Sequence, residues 1–264
     1  MTILRGYDAK KYLKSYVQRD PVLMVSIDYF INHISNSNIG KSVELFVYIN
    51  HDIPHGAGVL YKTIKQMTLF GSDEAIESFT SQISNSIERL RVPFSKMYSA
   101  IKGLEKNKML RKYESVDMFM TTTSNTFKEN QKFKAIRLET EHAKDIANVY
   151  TYENATELEE KAIEEFIKQG ITFYGVYYNS KLVAVCQIPF MTDKVWYISN
   201  VRTLPKYRGL GLGKSLISTV VKDAFTYGKE YVALTVANDN FVARRIYEKL
   251  GFSVYERFYS TFVW

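Results

Sequence analysis

The sequence predicts a mixed α/β fold in two lobes, and three observations carry that prediction. Short β-rich runs alternate with segments of helical apolar spacing along the whole chain. A hairpin signal, Asn179-Ser180, separates two β-rich runs in the second half. A strand-like stretch then feeds directly into a glycine-rich helix start at 195–214.

In the first half, Asp8 to Val17 and Pro21 to Ile34 read as helices, with Pro21 at a first helical position and Asp20 as its cap. Val43 to Ile49 reads as a strand. The turn-rich stretch His51 to Gly58 is expected to lead into another strand, Val59 to Ile64. Ser72-Asp73-Glu74-Ala75 opens a capped helix with acids in its first turn. A helix around Phe94 to Leu104 and a strand at Val116 to Met120 close the lobe. The turn-favouring run Thr121 to Asn125 and the polar Lys128 to Lys132 form a soft boundary, giving expected domains of 1–125 and 126–264.

In the second half, Phe133 to Leu138 reads as a strand and Glu139 to His142 as a helix start. Asn154 or Thr156 caps a further helix that Gly170 stops after Gln169. Ile171 to Tyr178 and Leu182 to Ile188 flank the hairpin turn, and Val195 to Thr203 is a third strand. Leu212, Leu216, Ile217, Val220, Val221 and Ala224 recur at helical spacing up to Gly228. A strand from Tyr231 to Val236, a helix from Phe241 to Leu250 and a strand from Phe252 to Phe262 complete the lobe.

Composition narrows the class. Of 264 residues 46% are hydrophobic, which suits a globular chain, and no apolar run approaches the ~20 residues of a membrane span. The N-terminal residues meet a charge before any apolar core of signal-peptide length, so no signal peptide is expected, and a single Cys excludes both an internal disulfide framework and a cysteine zinc site. These features lead to the expectation of a cytoplasmic protein. The net charge of +7 favours an anionic partner. Because basic and acidic residues interleave, nucleic acid is not the expected partner, and no membrane partner is expected either. His51, Asp52 and His55 lie beside Pro54 and Gly56, which break any helix that would align them, so no metal is expected.

Chemistry concentrates in Leu204-Pro205-Lys206-Tyr207-Arg208-Gly209-Leu210-Gly211-Leu212-Gly213-Lys214. Three alternate glycines between a strand and a helix let a ligand approach the backbone, and the helix's first N–H groups suit an anion. Arg202, Lys206, Arg208 and Lys214 add positive charge. A phosphate-binding loop of Walker type would need glycine at 208, where Arg208 stands, and the dinucleotide fingerprint needs G-x-G-x-x-G. What does hold is Arg-x-x-Gly-x-Gly, at Arg208, Gly211 and Gly213.

That segment resembles the cofactor segment of the GNAT superfamily of acyl-CoA-dependent N-acyltransferases. A second phrase of that family follows: Asn238-Asp239-Asn240, then Ala243, Tyr247 and Leu250-Gly251-Phe252. The resemblance covers about 133–264 and implies a central, mixed, mostly antiparallel sheet flanked by helices. By position in the motifs it implies that the strand before the turn splays from its neighbour. Backbone groups of Val201 and Thr203 would then pair with a pantetheine arm, next to Arg202. The pyrophosphate of acetyl-CoA would sit on backbone N–H groups across Arg208, Gly209, Leu210, Gly211, Leu212, Gly213 and Lys214. Asn240 would help bind the cofactor, a place equally natural for a helix N-cap. Tyr247, seven residues on and about two helical turns along the same face, would donate a proton to the departing thiolate.

The reaction so implied is transfer of an acetyl group from acetyl-CoA to a primary amine, on a small molecule or a protein, by direct attack. The alternative is a sensor that binds acyl-CoA without turnover. No base is singled out: Glu141, Glu153, Ser199 and Tyr197 all remain open. Cys186, alone in an apolar strand, reads as a core residue. The first half loosely repeats the element order of the second without its glycine motif, as expected of a smaller, degenerate GNAT-like lobe. Oligomeric state is not legible.

Overall fold

The structure is a computed structural model that describes residues 2–33, 41–84 and 86–264. By its internal contacts the chain divides into two compact units. One comprises Met1–Phe119, Val236–Asp239 and Val254–Trp264, and the other Met120–Thr235 and Asn240–Ser253.

In the N-terminal unit, β1 (Thr2–Arg5), α1 (Gly6–Val17) and α2 (Val25–His33) lead to β2 (Val43–Asn50), β3 (Ile53–Tyr61) and β4 (Gln66–Gly71). Then come α3 (Asp73–Thr80), β5 (Arg89–Pro93), α4 (Met97–Lys106) and β6 (Arg111–Thr122). The second helix starts later than its sequence suggests. Asp20 caps a turn through Leu23, whose N–H donates to Oδ1 at 2.9 Å, and regular helix begins at Val25. Ile34, its expected end, lies outside the described residues.

The His51–Gly58 stretch is corrected. Only His51 and Asp52 turn, both with positive φ, and Pro54 to Gly58 are already strand. The physical reason is packing. A Cβ on Gly56 would stand 2.6 Å from Ala75 Cβ, and one on Gly58 would stand 2.6 Å from Leu69 Cδ2. These glycines let α3 and β4 approach the strand; they do not bend it.

Neighbouring strands run antiparallel from β1 to β4, and β4 and β5 run parallel. One face of this sheet presents Phe46, Tyr48, Leu69, Leu90 and Val92 to Ile76 and Phe79 of α3 and Leu104 of α4. The last strand of the chain, β12 (Ser253–Val263), belongs here too. It pairs antiparallel with β5, from Phe258 opposite Pro93 to Phe262 opposite Arg89, and adds Tyr259 and Val263 to the same core.

In the C-terminal unit, β7 (Ala135–Leu138) precedes α5 (Ala143–Tyr150) and α6 (Glu157–Lys168). Next are β8 (Thr172–Tyr178), β9 (Lys181–Met191), β10 (Val195–Thr203), α7 (Leu212–Thr226), β11 (Tyr231–Ala237) and α8 (Phe241–Lys249). Thr156 and Glu159 cap α6 reciprocally, and Asn179 and Ser180, both with positive φ, make the hairpin turn. The sheet order is β11-β10-β9-β8-β7, antiparallel except for the parallel pair of β10 with β11. Helices cover both faces. On β8, Phe173 meets Tyr150 of α5, while the next residue, Tyr174, bonds Asp223 of α7.

Both halves of the chain therefore run through one element order, β-α-α-β-β-β-α-β-α-β, with the fourth and fifth strands parallel in each. No described helix is long and apolar enough to cross a membrane.

Candidate active site

The site grows from the way β10 and β11 part. Their parallel pairing runs from Val195 opposite Tyr231 to Ile198 opposite Leu234 and stops there. β10 continues to Thr203 and β11 to Ala237. On its other side β10 slips twice in register against β9 between Tyr197 and Arg202, around Asn200, whose φ is +49°. The two strands thus open into a wedge whose exposed backbone edge leads to the glycine-rich turn.

A short 3₁₀ turn, Pro205–Tyr207, leads into Arg208, and Gly209 and Gly211 follow with φ of +81° and +92°. A Cβ built on either would meet nothing within 4 Å, so the space in front of this backbone is open. Gly211 is the N-cap of α7, and its carbonyl takes the first helical bond, from the Ser215 N–H at 3.0 Å. The N–H groups of Leu212, Gly213 and Lys214 have no acceptor inside the helix. With the helix dipole and Lys206, Arg208 and Lys214, this turn is a cradle for an anion. Ser215 fixes the helix from beneath: its hydroxyl is fully buried and accepts from the N–H groups of Lys132 and Phe133 at 3.1 and 3.2 Å.

Two arginines are engaged elsewhere. The Arg202 guanidinium donates to the Tyr150 carbonyl at 2.8 Å and lies over the ring of Tyr152 at 5.0 Å, so its side chain ties β10 to the end of α5. Arg208 Nε donates to the Thr203 carbonyl at 3.1 Å, which already occupies that group of β10. Val201 stays half-buried on the wedge strand. Lys132 to Lys134, around the start of β7, frame a separate shallow cleft.

Asn240 caps α8, its Oδ1 accepting from the Ala243 N–H at 3.2 Å. Tyr247 on that helix is buried, 7% exposed, with its ring 5.9 Å from that of Phe252. Burial pushes its hydroxyl pKa up, helped by Cys186 and Tyr197, so the group is held protonated. Gly251 ends the helix with φ of +90°, and a Cβ there would fall 1.9 Å from the Thr126 carbonyl oxygen. Only glycine fits, and the fit holds the Tyr247 helix against 126–128, where Lys128 N–H donates to the Leu250 carbonyl at 3.0 Å.

The four base candidates separate. Glu153 is ion-paired with Lys181 and Glu141 is an exposed carboxylate 3.9 Å from His142 Nδ1. Tyr197 donates its hydroxyl to Thr235 Oγ1 at 2.8 Å, a partner on β11 that the sequence did not single out. Ser199 lies opposite Gln187 on the irregular stretch of β10. Cys186 is fully buried and burial raises its thiol pKa, which makes it unreactive. The Tyr150 hydroxyl is buried and has no hydrogen-bond partner among the described residues, a polar group that no sequence pattern flagged. Among the described residues no three His, Cys, Asp or Glu side chains come together as metal ligands.

Residues 136–252 match the family model of the acetyltransferase (GNAT) family. No curated protein matches the sequence at a significant level. Solved structures do share the fold. A protein from Drosophila melanogaster superposes with a TM-score of 0.71 at 10% identity, covering 98% of each chain. A GNAT-family acetyltransferase from Colwellia psychrerythraea does so with 0.61 at 12% identity, over 100% of both chains. A tandem GNAT protein from the clavulanic acid biosynthesis pathway gives 0.61 at 9% identity, over 99% of this chain and 98% of its own. Residues 136–252 are thus a domain of the acetyltransferase (GNAT) family, and the parting strands and the glycine turn both fall within that stretch.

Proposed function

We propose that this protein is an N-acetyltransferase that moves an acetyl group from acetyl-CoA to a primary amine in a sequential complex. One observation carries the reading: the β10/β11 wedge runs straight into the left-handed glycine turn, so one edge can take an extended arm and the next a pyrophosphate. The backbone of Val201 on β10 would pair with the pantetheine arm, and N–H groups from Arg208 to Lys214 would hold the pyrophosphate. Asn240 would border the cofactor while capping α8.

The amine must arrive neutral, since its lone pair forms the new C–N bond as the C–S bond breaks. The electron pair of that bond leaves on sulfur. Tyr247, kept protonated by burial, would neutralise the thiolate and regain a proton from solvent. The hydroxyls of Tyr197 and Thr235 offer the amine's proton a polar way out.

The N-terminal unit reads as a degenerate copy that holds no CoA. Its parallel strands β4 and β5 also part, after Thr68 and Arg91, but only Ser72 separates β4 from α3. The Ser72 hydroxyl already accepts from the Ala75 N–H at 3.2 Å, and Asp73 and Glu74 bring negative charge to that helix start.

Calorimetric titration with acetyl-CoA tests the whole reading. Micromolar binding at one site per chain, followed by CoA release in the presence of amines, supports it. Binding without release for any amine would favour the sensor instead, and no binding would end both.

A further inference from the structure

Tyr150, the last residue of α5, carries a buried hydroxyl with no hydrogen-bond partner among the described residues. A buried donor left unpaired costs stability, and such groups persist where a ligand completes them. The other buried tyrosine of this sheet, Tyr174, does have a side-chain partner, Asp223.

The register of the sheet shows what Tyr150 stands beside. Its ring packs against Phe173 of β8, with centroids 6.5 Å apart. Phe173 lies opposite Gln187 of β9, and Gln187 lies opposite Ser199 of β10. Ser199 is the first residue of β10 past Ile198, its last paired position with β11. At about 4.8 Å per strand, this short row crosses the sheet from Tyr150 to the mouth of the wedge. Arg202, further along β10, donates to the Tyr150 carbonyl and holds its guanidinium 5.9 Å from the ring centroid. Cys186, beside Gln187, acts electrostatically on the hydroxyls of both Tyr150 and Tyr247. The two hydroxyls therefore approach one stretch of β9, from α5 and from α8. All of these residues belong to the C-terminal unit.

The surroundings select the kind of ligand. The charged side chain acting on the Tyr150 hydroxyl is a cation, Arg202, and no carboxylate does so. A phenol O–H beside a positive charge suits an oxygen that carries or gathers negative charge, and disfavours an ammonium group. We infer that Tyr150 is a catalytic residue whose hydroxyl donates to the carbonyl oxygen of the acetyl group on acetyl-CoA. As the amine attacks, the carbonyl π electrons move onto that oxygen, and they return when the C–S bond breaks. Tyr150 keeps its proton throughout. The inference rests on the acetyltransferase reading and adds a residue to its chemistry.

The test compares acetyl-CoA with S-ethyl-CoA, a thioether of similar size that lacks the carbonyl. Both are titrated calorimetrically into the wild type, Tyr150→Phe and Tyr174→Phe, and the three unliganded proteins are melted. The wild type should bind acetyl-CoA about 2–10-fold more tightly than S-ethyl-CoA, as one hydrogen bond allows. That preference should vanish in Tyr150→Phe and survive in Tyr174→Phe. Unliganded Tyr150→Phe should melt at or above the wild-type Tm, since it loses an unpaired donor, whereas Tyr174→Phe loses a made bond and should melt lower. The inference is overturned if the wild type shows no preference or if Tyr150→Phe retains it. A fall in Tm for Tyr150→Phe also overturns it, because the hydroxyl would then serve the fold. Failure of both CoA derivatives to bind the wild type overturns the acetyltransferase reading instead, so the two failures are distinct.

Discussion

Replacing Gly211 by alanine separates what the glycine turn contributes to folding from what it contributes to ligand binding. Gly211 has φ of +92°, and an added Cβ meets nothing within 4 Å. The folding cost is therefore backbone strain alone, about 1–2 kcal/mol for a left-handed L-residue. For a chain of this size that lowers Tm by roughly 2–6 °C. On the proposed reading, however, the methyl group would occupy the space through which a pyrophosphate would reach the first-turn N–H groups. Losing one hydrogen bond to a charged group is worth about 1.5–3 kcal/mol, or roughly a 10–150-fold fall in affinity. Gly228, beyond the other end of α7, supplies the control: its φ is +74° and its Cβ space is equally empty. Gly228→Ala should show the same fall in Tm with acetyl-CoA affinity intact. Thermal melts and calorimetry on the two variants decide the matter. Equal CoA affinities in both would refute the assignment of the turn as the pyrophosphate site.

Tyr247→Phe keeps the buried ring and removes only the hydroxyl, so kcat should fall about 10²–10⁴-fold while acetyl-CoA affinity holds; near wild-type turnover would remove Tyr247 from the chemistry. Burial raises the hydroxyl pKa of Tyr150, Tyr174 and Tyr247 above the unfolded value of about 10. The folded state then binds these protons more tightly, so stability is full below pH 10 and declines as pH rises beyond it, which urea titrations at pH 9 and 11 would show. Asp117→Asn should cost about 2–3 kcal/mol in denaturant unfolding. Its carboxylate lies 3.7 Å from Arg89 and 3.6 Å from Arg91, and part of the full penalty is relieved by solvent at the half-exposed Arg89; a loss under about 1 kcal/mol would contradict this. Gly251→Ala should yield little folded protein, since its Cβ would overlap the Thr126 carbonyl, and recovery at wild-type Tm would count against that contact.

The C-terminal half was legible because its signals are local. Capping boxes, the Asn179-Ser180 turn and the bounds of β10 follow from neighbouring residues, and the structure places them as the sequence does. The N-terminal half hid β4, β5 and the start of β3. Gly56 and Gly58 read as turn residues because their role, admitting Ala75 and Leu69, depends on elements distant in sequence. β5 carries Arg89 and Arg91, whose charge is met by Asp117 of β6, a partner distant in sequence. At the site, Tyr247 was singled out by the family resemblance, whereas the left-handed glycine turn could be read from spacing. The engagement of Arg202 by Tyr150 and of Tyr197 by Thr235 could not, because each partner comes from another element.

The membership of β12 in the N-terminal unit has a consequence for how the protein is made. Phe258 must find Pro93, and Tyr259 and Val263 complete a core whose other members are all synthesised long before them. At about 5–20 residues per second, a ribosome takes on the order of ten seconds or more to travel from β5 to β12. Throughout that interval β5 waits with one edge unpaired, so the first half of the chain to emerge is the last to be finished.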